Sequence, residues 1–210
     1  MINQLFQFSS FFKNFKCENH LLNCCRMMNR NEALTLLKKY LKDNKLLKHS
    51  LSVEAIMKGI AKFIEEDIDL WSRVGLLHDL DYEYTQGHPE KHANISADIL
   101  AGLIPEKGIN AIKAHNYLHT DYIPTTSIDK SLLAADAVSG LIIATALVMP
   151  SKKINDVRIE TLLNKYNDKS FAKGCNRNKI NLCLDIGIDL NDFLSLSLNA
   201  LIEISKELEL

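Results

Sequence analysis

Residues 74–83 read VGLLHDLDYE. The first four belong to an apolar run, DLWSRVGLLHDL over 69–80, whose spacing predicts a buried helix. That run closes on His78 and Asp79, and two more carboxylates, Asp81 and Glu83, follow at once. Burying an imidazole beside a carboxylate costs free energy unless both find partners. Either these groups pair with one another and their neighbours, or they hold a metal.

Working outward from this stretch, apolar residues recur at helical spacing along almost the whole chain, and no segment alternates with period two. An all-α helical bundle is predicted, with its polar site in the core. The expected helices run over 31–41, over 46–66 with Leu51, Ala55, Ile56, Ile60 and Phe63 facing inward, and over 69–80 behind a cap at Asp67 or Asp69. A polar loop, DYEYTQGHP over 81–89, then leads to a helix over 90–103 with Pro89 at its start. Further helices are expected over 106–119 and 129–148, and two more to either side of Gly187.

The chain has 210 residues, 47% hydrophobic and 24% charged with a formal net charge of -1, which fits one soluble domain with a substantial core. Near-neutral charge argues against binding to a DNA or RNA duplex by bulk electrostatics. Five cysteines without a C-x-x-C pair suggest neither a disulfide framework nor a cysteine zinc site, and point to the cytoplasm. Residues 1–26 lack a continuous apolar core with a cleavage site and read as a loosely attached extension rather than a signal peptide. Phe11, Phe12 and Phe15 within it offer at most a partner patch. The single domain then covers 27–210, its motif region 45–150 and its C-terminal helices 151–210 packed on the same core. LLAADAVSGLIIATALVM, 132–149, approaches membrane-spanning length, but Asp136 inside it favours a core helix and no membrane partner.

Asp136 is also informative chemically. A carboxylate among Leu132, Leu133, Ala134, Ala135, Ala137 and Val138 needs a strong partner, either a buried cation or an ion. His49, His78 with Asp79, His92, His115 and Asp136 fall on or beside successive predicted helices, so they could converge at one point. Imidazole nitrogens and carboxylate oxygens suit divalent iron, manganese or zinc. His88 and His119 are expected to face solvent or to support the ligands from behind.

The order His49, His78–Asp79, Asp136 resembles the signature of the HD-domain metal-dependent phosphohydrolases. KHANISADIL and AIKAHNYLH are similar to the segments that add two histidines in the dinuclear subset, which points to His92 and His115. That resemblance implies one ion on His49, His78, Asp79 and Asp136, and a second on Asp79, His92 and His115. Iron or manganese is favoured, with zinc or magnesium possible. It implies hydrolysis of a phosphate mono- or diester of a nucleotide or related small molecule, dinucleoside polyphosphates included, by a water acidified between two ions. Asp79 and Asp81 are the expected catalytic carboxylates, Asp81 or Glu83 moving a proton or orienting an imidazole. The frequent Ile-Gly-Lys continuation of the HD pair is replaced by Leu80, Asp81 and Tyr82, so that lysine is absent. Lys152, Lys153, Arg158 and Arg177, in a basic stretch over 152–179, are the expected substrate-gripping cations. A homodimer is possible. A non-catalytic sensory module with the same fold is the competing class.

Overall fold

The computed structural model describes residues 26–210. The calls on residues 1–25, including the loose extension, the missing signal peptide and the Phe11, Phe12 and Phe15 patch, lie outside the described residues. Among the described residues there is no strand, and the fold is all-α. The helices are α1 (Arg30–Tyr40), α2 (Asn44–Phe63), α3 (Ile68–Leu77), α4 (Tyr82–Thr85), α5 (Asn94–Leu100), α6 (Glu106–His115), α7 (Ser127–Val148), α8 (Ile159–Asn167), α9 (Arg177–Ile180), α10 (Leu182–Asp185), α11 (Leu190–Glu203) and α12 (Ser205–Leu208).

α7 is the central post. Thr126 and Asp129 form a capping box at its start, and the helix is apolar on nearly every side, as a helix packed all round must be. It is long and apolar enough to cross a membrane, yet 67% of its most apolar window is buried against the rest of the chain. Helices α2, α6, α8, α9 and α10 all pack on it. α2 lies between α3, α7 and α11.

Two glycines set the spacing around the site. At Gly75 in α3 a Cβ would sit 2.8 Å from the Val53 carbonyl oxygen and 3.0 Å from the Glu54 backbone, so α3 lies directly against α2. At Gly108 in α6 a Cβ would meet Val74 at 2.9 Å, which draws α6 onto the other side of α3. His49, His78 and His115 are carried by these three helices or their ends.

Three expectations need correction. The buried face of α2 runs through Val53, Ile56, Met57, Ile60 and Ala61, while Phe63, at the helix end, is exposed. The helix expected over 90–103 starts only at Asn94, because Ala93 takes a left-handed conformation (φ 70°) that breaks the turn before it. Each of the two helices expected to either side of Gly187 is broken in two: the short α9 and α10 precede it, and the fourteen-residue α11 and the short α12 follow it. Gly187, with φ 80°, separates α10 from α11, and further breaks fall at Asn181 and Ile204.

Candidate metal centre

Asp79 sits at the hub. It follows His78, the C-cap of α3, and is nearly buried. Four imidazoles present Nε2 to its carboxylate: His78, His92 and His115 at 3.5, 3.4 and 3.4 Å from Oδ1, and His49 at 3.6 Å from Oδ2. Asp136, midway along α7, lies 3.2 Å from His49 Nε2. The buried Arg or Lys that could have paired with Asp136 is not its partner here; an imidazole is. All six residues therefore meet, from five separate segments.

The other ring nitrogens fix the rings. Nδ1 of His78 lies 2.9 Å from the Gly75 carbonyl, and Nδ1 of His115 contacts the Ile112 carbonyl. A carbonyl only accepts, so both rings carry their proton on Nδ1. His92 Nδ1 is held by Asp81 at 2.8 Å, and His49 Nδ1 lies 3.3 Å from the Ser139 hydroxyl. Nε2 of His78, His92 and His115 are then lone pairs aimed at one another and at a carboxylate. His92 and His115 face each other Nε2 to Nε2 at 2.9 Å. The fully buried His78 Nε2 has no hydrogen-bond partner. Such an electron-rich hub needs protons or cations between its atoms, and outward partners of this kind are how proteins aim ligating histidines.

The electrostatics agree. Burial disfavours the charged form of Asp79, but His78, His115 and His49 hold its carboxyl well below the ordinary range. Burial raises and His49 lowers the Asp136 carboxyl, which settles at about 2. His49 is opposed by burial yet pushed up to about 9 by Asp136 and then Asp79. His78, dominated by burial, falls to about 4. His92 is raised, because Asp81 and then Asp79 outweigh its burial. His49 Nε2 is thus the site where proton and cation compete most directly.

Ligand atoms of His49, His78 and Asp79 lie within 4.8 Å of one another, as do those of Asp79, His92 and His115. The two sets share Asp79, and either could hold a divalent ion. The hub opens into a cleft of about 320 Å³ lined also by Leu46, Tyr82, Asn116 and Lys179.

The remaining expected site residues lie elsewhere. Asp81 is fully buried and does not line the cleft. Its Oδ1 holds His92 and its Oδ2 accepts from the Ser96 N–H at 2.9 Å, supplying the cap that α5 otherwise lacks. Glu83 accepts from the N–H groups of Lys42 and Asp43, both at 2.6 Å, and so fixes the chain entering α2. His88 is paired with Glu90 at 3.3 Å on the surface, and His119 is exposed. None of Lys152, Lys153, Arg158 and Arg177 lines the cleft. Lys152 and Lys153 follow the far end of α7, whose twelve residues beyond Asp136 rise about 18 Å. Arg158 caps α8. Arg177 donates to six carbonyls, those of Lys165, Tyr166, Asp168, Phe171, Ala172 and Cys175, and its fork is fully used inside its own loop. Instead the cleft receives Lys179, which lies in the same basic stretch but is singled out there by no motif.

Residues 46–141 match the HD domain family. They form an HD domain. Within its bounds fall all six hub residues, together with Asp81 and Tyr82. The chain is similar to Ribonuclease Y of Nitratidesulfovibrio vulgaris (strain DP4), 38% identical over 96 residues, covering 45% of this chain and 18% of the relative. It is 33% identical over 132 residues to Ribonuclease Y of Staphylococcus epidermidis (strain RP62A), covering 60% and 25% respectively. Against Ribonuclease Y of Enterococcus faecalis (strain V583) it is 36% identical over 98 residues, covering 45% and 18%. The chain thus spans a quarter or less of the length of these relatives. No solved structure gives a significant match. Lys179 lies beyond the residues matched to the HD domain.

Proposed function

We propose that this chain is a metal-dependent phosphohydrolase that cleaves a phosphate ester of a nucleotide or related small molecule. His49, His78, Asp79 and Asp136 hold one divalent ion, and Asp79, His92 and His115 hold a second. The observation that carries this reading is the Asp79 hub, with imidazole Nε2 lone pairs converging on one carboxylate from rings aimed by outward partners.

A divalent pair in such a site supplies a hydroxide at neutral pH and positive charge against the phosphoryl oxygens. The chain's own residues do the rest. Asp79 joins the two sets of ligands, Asp81 keeps the His92 ring in place from behind, and Asn116, whose amide donates to the carbonyls of Pro89 at 2.8 Å and His92 at 3.0 Å, braces one wall. A cleft of about 320 Å³ is at the small end for a bound ligand, which suits one nucleotide unit at a time. The relatives are named as ribonucleases, enzymes that cleave the phosphodiester of RNA, and this supports a phosphodiester as well as a monoester among the bonds cleaved.

The competing reading is a sensory module that binds metal and nucleotide without turnover. One observation favours it: Asp81, the expected proton carrier, has both oxygens committed away from the cleft. The test is hydrolysis by metal-reconstituted and chelator-treated protein across nucleoside monophosphates, dinucleoside polyphosphates, a generic phosphodiester and a single-stranded RNA oligomer. Metal-dependent release from at least one is expected. Two bound equivalents of metal with no hydrolysis of any would leave the sensory module; no bound metal would defeat both.

A further inference from the structure

The cleft above the Asp79 hub carries two groups with no role so far. Lys179, half-buried in α9, is the one Lys or Arg among the described residues that lines the cleft, and its ammonium has no hydrogen bond or ion pair although Asp79 and Asp136 line the same space. Tyr82, at the start of α4, lines the cleft, is 40% exposed and stands edge-on to the His92 ring with centroids 5.5 Å apart.

Lys179 is placed there by construction. The Arg177 guanidinium gathers the carbonyls of the 165–175 loop, which fixes the start of α9. α9 then packs on α7, where Cys175 Sγ lies 3.1 Å from the position of a Cβ on Gly140, one turn beyond Asp136 on the same face. A lysine held on a short, clamped helix beside the two carboxylates, and paired with neither, is a cation kept for an anion that arrives from outside.

We propose that Lys179 and Tyr82 complete the substrate site: the Lys179 ammonium takes a phosphate oxygen, and the Tyr82 ring stacks on the nucleobase of the same nucleoside phosphate. This rests on the hydrolase reading for the identity of the cleft, and it locates a phosphate-binding lysine outside the HD domain, where residues 80–82 supply none. The two groups line one cleft together with His49, Asp79, His92, His115 and Asp136. Ammonium-to-phosphate hydrogen bonds are charge-assisted, and every base has a face that stacks on an aromatic ring.

The test is calorimetric binding of inorganic phosphate and of adenosine 5′-monophosphate to the metal-loaded full chain, with metal content measured for each variant. Lys179→Ala is expected to weaken both probes about 10- to 100-fold at unchanged metal content, and Lys179→Arg to restore most of the loss. Tyr82→Ala is expected to weaken the nucleotide about 5- to 100-fold while leaving inorganic phosphate as in the parent. Parental affinity in Lys179→Ala overturns the proposal, as does equal loss of both probes in Tyr82→Ala, or no binding of either probe by the parent. Lys179-dependent binding without any hydrolysis supports it while defeating the hydrolase reading. Hydrolysis with an unchanged KM in Lys179→Ala does the reverse.

Discussion

Asp81 Oδ1 lies 2.8 Å from His92 Nδ1, and no part of Asp81 reaches solvent. Its other oxygen and its own N–H are both bonded to Ser96, at 2.9 and 3.1 Å. The carboxylate that looks catalytic in the sequence is a clamp on the ring that faces the cleft. Asp81→Asn keeps the shape but presents an amide to His92 Nδ1 and to the Ser96 N–H. Affinity for the second metal equivalent should fall about 10- to 100-fold, read by competition with a chelating dye; parental affinity would show that His92 needs no orienting partner.

The two sets of ligand atoms meet only at Asp79, so single substitutions should separate them. His92→Ala or His115→Ala should bind one equivalent of metal, His49→Ala the complementary one, and Asp79→Ala essentially none. Elemental analysis of purified, reconstituted variants decides this. Two equivalents retained in all three histidine variants would remove the dinuclear proposal.

Stability of the metal-free chain should peak near pH 6.5. His49 titrates at about 9 in the fold, held up by Asp136 against its burial. That raised value contributes stability fully present below its unfolded value near 6.5 and lost as pH rises through about 9. His78, driven by burial to about 4, acts oppositely: the unfolded chain takes up a proton below 6.5 that the fold refuses until about 4, so stability falls across that interval. The lowered Asp136, at about 2, extends the acid loss below pH 4. Thermal melts between pH 4 and 10 should show both limbs, with the alkaline one reduced in His49→Gln to the part that the raised His92 supplies. A flat melting temperature from pH 6.5 to 9 would contradict the pairing of His49 with Asp136.

Gly75→Ala should destabilise the chain by about 1–3 kcal/mol. Its Cβ would lie 2.8 Å from a backbone oxygen, which has no flexible side chain to give way. Since the Gly75 carbonyl also receives His78 Nδ1, the same variant should lower metal affinity in excess of its effect on melting. Chemical denaturation paired with metal titration separates the two effects.

Much of this architecture was legible in the sequence because burial and charge conflict there. A helix ending in His78–Asp79 and an acid within the most apolar helix both announce partners that local structure cannot supply. His92 and His115 stand out less on physical grounds, and the family resemblance directs attention to them. What the sequence hid depends on tertiary geometry. The late start of α5 goes with a left-handed Ala93 and a cap supplied by Asp81, twelve residues upstream, which no local pattern encodes. Phe63 loses its inward place because α2 meets its neighbours along Val53, Met57 and Ala61. Lys179 could not be told from Lys152 or Arg158, since charge alone does not reveal which residue of a basic stretch a six-carbonyl clamp will set beside Asp136.

The hub also changes how the chain holds together. Its members run from residue 49 to residue 136, so a cation seated among them fastens remote parts of the backbone as a cross-link does, but one that the surroundings can withdraw. Each tenfold rise in free ion above the dissociation constant adds about 1.4 kcal/mol to folding. With an ion seated as proposed, the durability of this protein would be tied to the mineral supply around it, and starvation for that ion would loosen the whole bundle.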